Sequence, residues 1–296
     1  MTARLDDHTE RFTMLRPLLF TIAYEILGSV TEADDVLQDS YLNWAKVDLA
    51  AVRDTKSYLA QLVTRQALKA QRTSARRRES YVGPWLPEPL LLDDRDASAD
   101  VVLAESVSMA MLVVLETLTP DERAVFVLHD VFGFDYAEIS EAVGKSTAAV
   151  RQIAHRAREH VHARRKRFDP VDSDQAAEIT QQFLTAASTG DMAGLVALLA
   201  PDVVTIIDGG GLPGAARRPL VGAERVAGAI VRGMRRDLRF EIVTANGAPA
   251  VALRTDEDQL LGLVTLEIHD GRITSLYAIA NPDKLAALDG PRVITR

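Results

Sequence analysis

Four polar residues in the last third of the chain have side chains that can take part in catalysis: Asp202, Asp208, His269 and Tyr277. Acid–base catalysis requires a base within hydrogen-bonding reach of its partner, and no Asp–His pair has a spacing that suggests this arrangement. The glycine run 209–211 lacks the following Lys-Ser/Thr of a phosphate-binding loop, so we expect a turn after a strand there. The sequence therefore predicts no enzyme activity, no cofactor and no metal site.

A second set of polar side chains has the types that read DNA sequence. The segment 135–159, DYAEISEAVGKSTAAVRQIAHRARE, contains a short helix, a glycine turn and a second capped helix, which is the plan of a helix-turn-helix. Helical spacing predicts a core of Ala137, Ile139, Val150, Ile153 and Ala157. On the outward face of such a helix, Arg and Gln bind base edges in the major groove and later arginines bind phosphates. The outward residues here are Ser146, Thr147, Arg151, Gln152, His155 and Arg158.

Three helices are predicted in the first eighty residues, because apolar residues recur there at helical spacing. The second helix starts near Thr31, which forms a capping-box pattern with Asp34. Its polar face consists of Asp34, Asp35, Gln38 and Asp39. The third helix spans about 54–78 and carries Lys56, Arg65, Gln66, Lys69 and Arg72.

Residues 81–100 interrupt the helical pattern and have the composition of a linker, with three prolines followed by four aspartates. Trp85, Leu86 and the leucines at 90–92 are costly to leave in water, so we expect this linker to pack on another part of the chain. After Asp169-Pro170 helical and strand-like runs are mixed, and Asp270-Gly271 is a hairpin signal, which predicts a separate α+β domain. The expected boundaries are 8–80 and 104–168 for the helical domains, 81–103 for the linker and 174–290 for the α+β domain.

The composition is typical of a soluble globular protein with two or three domains, since 47% of the 296 residues are hydrophobic and 26% are charged. The chain has no apolar run of about eighteen residues and no signal-peptide pattern at its N-terminus, so we expect no membrane span. Because cysteine is absent, a cytoplasmic location is the simplest expectation. The net charge is −8, yet basic residues cluster at 145–167 and near Arg72, as in a protein that binds DNA within a larger assembly.

Three segments, in this order, resemble the two-domain sigma factors of the extracytoplasmic-function (ECF) type. They are ADDVLQDSYLNWA at 33–45, a basic helix that ends in RRR, and LTPDERAVFVLHDVFGFDYAEISEAVGKSTAAVRQIAHRARE at 118–159. The resemblance covers about 14–167. Three further motifs are similar to those of the ECF forty-one group: WLPEPL at 85–90, DGGG at 208–211 and NPDKL at 281–285. The segment GLPGA at 211–215 departs from that group, whose members tend to have a Lys there.

The resemblance implies two all-α sigma domains, the second with the helix-turn-helix, followed by a SnoaL-like α+β cone domain of NTF2-like fold. It implies core RNA polymerase as a partner, contacted at its β flap and at its β′ clamp helices, the latter by the acidic face of the second helix. The third helix would then open the −10 promoter element, and the helix-turn-helix would bind the −35 element. The group lacks a usual anti-sigma partner, and a monomer is expected for the free protein.

The C-terminal domain of this group is thought to modulate activity, so the resemblance implies an alternative sigma factor with a fused regulatory domain. The residues expected to connect that domain to the rest of the chain are Trp85, Leu86, Pro87, Glu88, Pro89, Asp208, Gly209, Gly210, Asn281, Pro282, Asp283 and Lys284.

Alternatives of another class stay open at this point. A conventional helix-turn-helix regulator with a ligand-binding C-terminal domain would bind duplex DNA alone, usually as a dimer on paired half-sites. A sigma factor would bind core polymerase instead, and only this function accounts for the N-terminal helices. The acidic face and the basic residues of the third helix also have a simpler interpretation as solvated surface charges, and the helix-turn-helix as an ordinary helical hairpin.

Overall fold

The chain forms two helical units followed by an α+β unit, as the sequence predicts. The computed structural model describes residues 2–92, 101–164, 173–234, 238–288 and 290–296, without the side chains of residues 2–6, 75–79, 101 and 173. The acidic part of the predicted linker, 93–100, and the basic residues 165–167 lie outside the described residues. Within these ranges, every helix is too short or too polar to cross a membrane.

The first helical unit packs three helices around one apolar core. They are α1 (Thr2–Leu27), α2 (Val30–Trp44) and α3 (Thr55–Glu79), with a 3-10 turn at Leu49–Ala51. Trp44 is fully buried at the end of α2, and its indole N–H donates to the carbonyl oxygen of His8 at 2.9 Å. The predicted capping box at Thr31 is wrong. The N-cap of α2 is Ser29, whose hydroxyl accepts the N–H of Glu32 at 3.1 Å, so the helix begins one residue before Thr31.

The second helical unit contains the predicted helix-turn-helix. Its helices are α4 (Val101–Ser106), α5 (Met109–Leu115), α6 (Pro120–Phe126), α7 (Tyr136–Val143) and α8 (Thr147–Arg164), with a π-helical turn at Val127–Val131. Capping boxes start α6 and α7, and Gly144 makes the turn before α8 with φ +68°. The predicted core is wrong at one position, since Ala137 is exposed. Ala137 lies two residues before the buried Ile139, and residues two apart on a helix point to nearly opposite sides.

The C-terminal unit is a six-stranded mixed sheet with helices. Its elements are α9 (Ser173–Thr189), α10 (Met192–Leu198), β1 (Leu199–Asp208), β2 (Leu220–Val221), α11 (Ala223–Gly233), β3 (Leu238–Ala245), β4 (Ala248–Thr255), β5 (Leu260–His269), β6 (Arg272–Ile279) and α12 (Pro282–Leu285). The strand order is β2-β1-β6-β5-β4-β3, and only the β1–β6 pair among these neighbours is parallel. The β5–β6 turn lies at Asp270-Gly271, as predicted.

The two faces of this sheet pack against different partners. One face meets α9, α10 and α11, with Leu266 and Leu276 in the shared core. The other face, which includes Leu263 and Tyr277, packs against Leu86 of the linker and against α5. The C-terminal unit therefore closes its second hydrophobic face with residues from the first half of the chain.

The two helical units also pack directly against each other, around buried polar groups. Glu25 of α1 is fully buried, and its Oε1 accepts the hydroxyl of Ser106 at 2.6 Å. Nε of the buried Arg123 donates to the carbonyl oxygen of Glu25 at 2.7 Å, and its guanidinium pairs with Glu116. Burial raises the pKa of the Glu25 carboxyl to about 8, although the Ser106 hydrogen bond and Arg123 both lower it. The carboxyl is therefore mainly protonated at neutral pH.

Replacing Glu25 with Gln should remove part of the pH dependence of stability. The carboxyl binds its proton in the folded state up to about pH 8 but in the unfolded chain only up to about pH 4.5. The contribution of Glu25 to the free energy of unfolding is therefore complete below pH 4.5. It falls as pH rises from 4.5 to 8, by at most about 1.4 kcal/mol per pH unit. Urea unfolding at pH 5 to 8 should show a flatter curve for Glu25→Gln than for the wild type. Glu10→Gln, at an exposed position of the same helix, is the control, and parallel curves for all three proteins would contradict the expectation.

Candidate functional surfaces

A buried ion pair connects the linker to the C-terminal unit. Asp208 at the end of β1 is 0% exposed and Lys284 of α12 is 6% exposed, with Nζ 2.6 Å from Oδ2. The N–H of Leu86 donates to the same carboxylate at 2.8 Å, while the Lys284 ammonium donates to the Leu86 carbonyl and lies 4.0 Å from the ring centroid of Trp85. The motifs WLPEPL, DGGG and NPDKL thus meet at one place, which we call the Asp208–Lys284 cluster.

A tyrosine that the sequence reading missed completes this cluster. The hydroxyl of Tyr81 donates to Asp208, and it accepts a hydrogen bond from the side-chain amide of Asn281 at 2.7 Å. Burial raises the pKa of Tyr81 far above its ordinary value, and the Asp208 carboxylate raises it further. The hydroxyl therefore keeps its proton and remains a donor, so Asp208 is bound by an ammonium, a hydroxyl and the backbone N–H groups of Leu86 and Gly210.

The glycines next to Asp208 allow this close packing. Gly210 has φ +59°, and a Cβ at that position would lie 2.6 Å from the amide carbon of Asn281. A Cβ on Gly209 would lie 2.4 Å from the Cβ of Ala215. Asn281 also caps α12, since its Oδ1 accepts the N–H of Asp283 at 3.0 Å, and Pro282 occupies the first position of that helix. The DGG and NPDK residues are thus explained by packing and capping around the ion pair.

Glu88 connects the linker to the first helical unit. Its carboxylate accepts the hydroxyl of Ser29 at 2.8 Å and the N–H of Thr31 at 3.1 Å, at the positive end of the α2 dipole. Its backbone N–H donates to the Gly28 carbonyl at 2.8 Å, and its carbonyl accepts the hydroxyl of Tyr24 at 2.7 Å. Pro87 and Pro89 on either side are buried, so this part of the predicted linker is a fixed strip between two units.

The acidic face of α2 is divided by the fold. Asp35, Gln38 and Asp39 are exposed. Asp34 is half-buried and pairs with Arg16 at 3.0 Å and with Arg292 near the C-terminus at 2.9 Å. Three of the four residues predicted to bind polymerase are therefore accessible, and the fourth is engaged within the chain.

The residues of α3 predicted to bind the −10 element face the second helical unit at several points. One guanidinium nitrogen of Arg65 donates to the carbonyl oxygen of Glu141 in α7 at 2.8 Å. Lys56 lies 5.8 Å from the ring centroid of Phe134, and Arg72 lies 3.9 Å from a carboxylate oxygen of Asp121. Ser57 and Gln61 of α3 also donate to the carboxylates of Glu138 and Glu141. We call these contacts of α3 with α7, together with those to Phe134 and Asp121, the α3–α7 contact. Of the other two predicted residues of α3, Gln66 is half-buried and Lys69 is exposed.

Helix α8 presents most of the predicted −35 residues to solvent. Ser146 caps the helix, with its hydroxyl accepting the N–H of Ala149 at 3.3 Å, and Thr147 follows as its half-buried first residue. Arg151, Gln152 and His155 are exposed. Arg158 differs, because its Nε donates to Asp130 at 2.6 Å, and this hydrogen bond raises the pKa of the guanidinium.

The four catalytic candidates do not form one site. Asp208 lies in the Asp208–Lys284 cluster, and the Tyr277 hydroxyl donates to Glu267 at 3.0 Å. His269 lies 3.3 Å from the carboxylate of the adjacent Asp270. Asp202, His269 and Tyr277 line a cavity of about 270 Å³ together with residues of α5 and α8. Among the described residues, no group of His, Asp and Glu is arranged to hold a metal ion.

The comparisons with known proteins agree with this architecture. Family models for Sigma-70 region 2 and Sigma-70, region 4 match residues 11–77 and 108–161. The ECF RNA polymerase sigma factor SigJ of Mycobacterium tuberculosis (strain ATCC 25618 / H37Rv) is 34% identical over 294 residues, which cover 92% of this chain and 91% of SigJ. The crystal structure of M. tuberculosis SigJ has a TM-score of 0.74 at 32% identity and covers 94% of this chain and 98% of that one. An NTF2-like protein from Mesorhizobium loti is also similar, at 20% identity and a TM-score of 0.30, over 38% of this chain and 96% of that protein.

The similarity to SigJ extends through both helical units and the C-terminal unit, so it includes the order of the units as well as each unit alone. The helix-turn-helix of α7 and α8 lies within the region 4 match, and the acidic face of α2 lies within the region 2 match. From these observations we conclude that the chain belongs to the ECF sigma factors, alternative sigma factors that direct transcription initiation by RNA polymerase at promoter DNA, and that it carries an additional C-terminal α+β domain.

Proposed function

We propose that the C-terminal unit regulates this sigma factor by holding the free protein in a closed state that cannot engage both promoter elements. The α3–α7 contact is the observation that carries this proposal. It joins α3, the helix expected to open the −10 element, to α7, the first helix of the helix-turn-helix. In this contact a guanidinium N–H of Arg65 donates to Glu141, so it does not bind DNA. Opening of this contact is therefore the step that frees α3 and lets the two helical units bind separate promoter elements.

The geometry of a promoter supports an opening step. The −10 and −35 elements are separated along the duplex by roughly 25 base pairs, which is about 85 Å at 3.4 Å per base pair. Two surfaces joined by direct hydrogen bonds cannot be placed over sites at that separation. The exposed face of α8, with Arg151 and Gln152, is free to bind the −35 element. Arg65 of α3 stays hydrogen-bonded to α7 until the two helical units separate.

The exposed acids of α2 are the proposed binding surface for the β′ clamp helices of core polymerase. Asp35 and Asp39 lie four residues apart on one face of the helix, with the exposed Leu42 beyond them. Carboxylates of this kind attract a basic partner and set its orientation. Because this face is exposed in the closed state, core polymerase can bind first and promote opening.

The C-terminal unit is proposed to take the role that a separate anti-sigma factor has elsewhere, because it holds the helical units together from within the same chain. The Asp208–Lys284 cluster connects it to the linker, and Glu88 connects the linker to the N-terminus of α2. A regulatory role without catalysis also fits the distribution of its polar residues, since Asp208 is bound within the cluster.

Reversing the charges of Asp35 and Asp39 to Lys should weaken binding to core polymerase at least tenfold at about 0.1 M salt, because a basic partner is then repelled. The difference should narrow as added salt screens the charges. Binding of labelled protein to core polymerase measures this. Asp174→Lys with Glu178→Lys, also four apart and exposed but on α9, is the control. Equal affinities for both charge-reversed proteins would contradict the assignment.

Replacing Arg151 with Ala should lower promoter-dependent transcription by the loss of a base contact, about 1–3 kcal/mol in promoter binding. The reduction should depend on the sequence of the −35 element. Arg156→Ala is the matched control, because Arg156 lies on the same helix but pairs with Glu122 at 3.3 Å. In vitro transcription with core polymerase on a set of −35 variants tests this, and an unchanged preference among the variants would remove Arg151 from the reading surface.

Replacing Lys284 with Met should loosen the linker and increase transcription, because Asp208 then remains as a buried charge without its ammonium. Breaking a buried pair in this way costs about 3–5 kcal/mol. Limited proteolysis within 81–92 should become faster, and transcription at low core polymerase concentration should rise. Arg239→Met, which breaks an exposed pair with Asp258 in the same unit, should change neither quantity. Identical behaviour of both variants would argue against regulation through the cluster.

A further inference from the structure

The turn between β3 and β4 contacts the first helical unit, the second helical unit and the linker. We propose that Asn246 in this turn is the positioning residue through which the C-terminal unit holds the two helical units together. The inference rests on the closed state proposed above and names the residue that maintains it. Asn246 is 1% exposed, although it lies in a hairpin turn, where side chains ordinarily face solvent.

The side-chain amide of Asn246 forms hydrogen bonds to three separate parts of the protein. Its Nδ2 donates to the hydroxyl of Tyr24 in α1 at 2.8 Å, which belongs to the first helical unit. The same nitrogen donates to the carbonyl oxygen of Val107, between α4 and α5 of the second helical unit, at 2.8 Å. Its Oδ1 accepts the N–H of Leu90 in the linker at 3.0 Å. We call this arrangement the Asn246 junction.

The backbone around Asn246 is equally constrained. Its N–H donates to the carbonyl oxygen of Leu90 at 2.8 Å, so the linker pairs with the turn as a short strand would. Asn246 and Gly247 have φ of +53° and +73°, and Ala245 pairs with Ala248, which makes a two-residue hairpin turn. A Cβ at Gly247 would lie 3.0 Å from the carbonyl oxygen of Ala104 in α4. The Asn-Gly pair therefore suits the turn and also permits contact with the helical unit.

The partners of Asn246 require an amide and exclude a carboxylate. The N–H of Leu90 needs an acceptor, whereas the carbonyl oxygen of Val107 needs a donor, so one oxygen and one nitrogen must occupy these positions. Aspartate has the same shape and is equally suited to the turn. However, a carboxylate would place an unprotonated oxygen where Nδ2 now lies, 2.8 Å from the Val107 carbonyl oxygen, so that two acceptors would face each other. Asn246→Asp therefore removes the N–H donor that Val107 and Tyr24 accept and preserves the bond to Leu90.

The Asn246 junction differs in role from the Asp208–Lys284 cluster. The cluster joins the linker to the C-terminal unit through the Asp208 carboxylate, the Lys284 ammonium and the backbone of Leu86. Asn246 bonds directly to both helical units, at Tyr24 and at Val107. Because both bonds come from one nitrogen, separation of the helical units must break at least one of them. The junction is thus suited to resist the motion that exposes α3.

The test compares Asn246→Asp with Asp270→Asn, the converse exchange at a matched turn. Asp270 and Gly271 have φ of +49° and +71°, and the Asp270 side chain is 85% exposed. Since the chain has no cysteine, dyes can be placed at Met14→Cys on α1 and Glu159→Cys on α8, both exposed positions, in the full-length protein. Energy transfer between the dyes then reports separation of the helical units.

We expect Asn246→Asp to raise the ratio of open to closed molecules at least tenfold, which corresponds to about 1.4 kcal/mol, while Asp270→Asn leaves energy transfer unchanged. Asn246→Gly, which keeps the turn but lacks the side-chain amide, should also open the protein. It replaces Asn246→Asp in the test if the Asp variant folds poorly. Tyr24→Phe should open it less, and its effect should not add fully to that of Asn246→Asp, because the two residues share a hydrogen bond.

Unchanged energy transfer in a folded Asn246→Asp or Asn246→Gly protein, or equal opening by Asp270→Asn, would overturn the role of Asn246. In that case, opening by Lys284→Met would show that regulation by the C-terminal unit survives without the junction. Conversely, if Asn246→Asp opens the protein but transcription with core polymerase does not rise, the junction stands and the closed state is not inhibitory. The two proposals therefore fail through different measurements.

Discussion

The structure depends on satisfying the backbone of a strip that has almost no secondary structure of its own. Residues 85–92 run between the three units, and a buried strip must find partners for its N–H and C=O groups. Leu86 finds them in Asp208 and Lys284, Glu88 in Gly28 and Tyr24, and Leu90 in Asn246. These partners come from the C-terminal unit and from the first helical unit, so the backbone of the strip is satisfied only when both are assembled around it.

The buried ion pair of Asp208 and Lys284 fixes the position of the linker. An isolated carboxylate in the position of Asp208 would be strongly unfavourable, and the ammonium of Lys284 compensates for it only at the observed distance and orientation. A purely apolar contact would tolerate sliding, whereas an ion pair with a backbone N–H and a tyrosine hydroxyl fixes one register of the linker. Glu25 at the interface of the helical units follows a second route, since burial keeps its carboxyl protonated and able to share a hydrogen bond with Ser106.

Local patterns were sufficient to predict the order of the units and the helix-turn-helix, because caps, glycine turns and apolar spacing are properties of neighbouring residues. Thr119 with Glu122 and Gly144 illustrate this. The contacts between units join residues far apart in the chain, such as Asn246 and Tyr24, and no local pattern encodes them. The Asn-Gly pair at 246–247 is a hairpin signal that the sequence analysis missed, and the burial of Asn246 depends on the surrounding units. The ion pair of Asp34 could not be predicted from local patterns either, since its partner Arg292 lies near the other end of the chain.

The position of the stabilising residues along the chain has a consequence for biosynthesis. Asp208, Asn246 and Lys284 all follow the helix-turn-helix, and the chain continues for 132 residues beyond Arg164. At ordinary rates of elongation, the ribosome needs on the order of ten seconds to add them. During that interval both helical units have been synthesised, while the strip at 85–92 still lacks its partners Asp208, Asn246 and Lys284. The contacts of Asp208, Asn246 and Lys284 with the strip therefore form only after the helical units have been synthesised, with a delay set by the rate of translation.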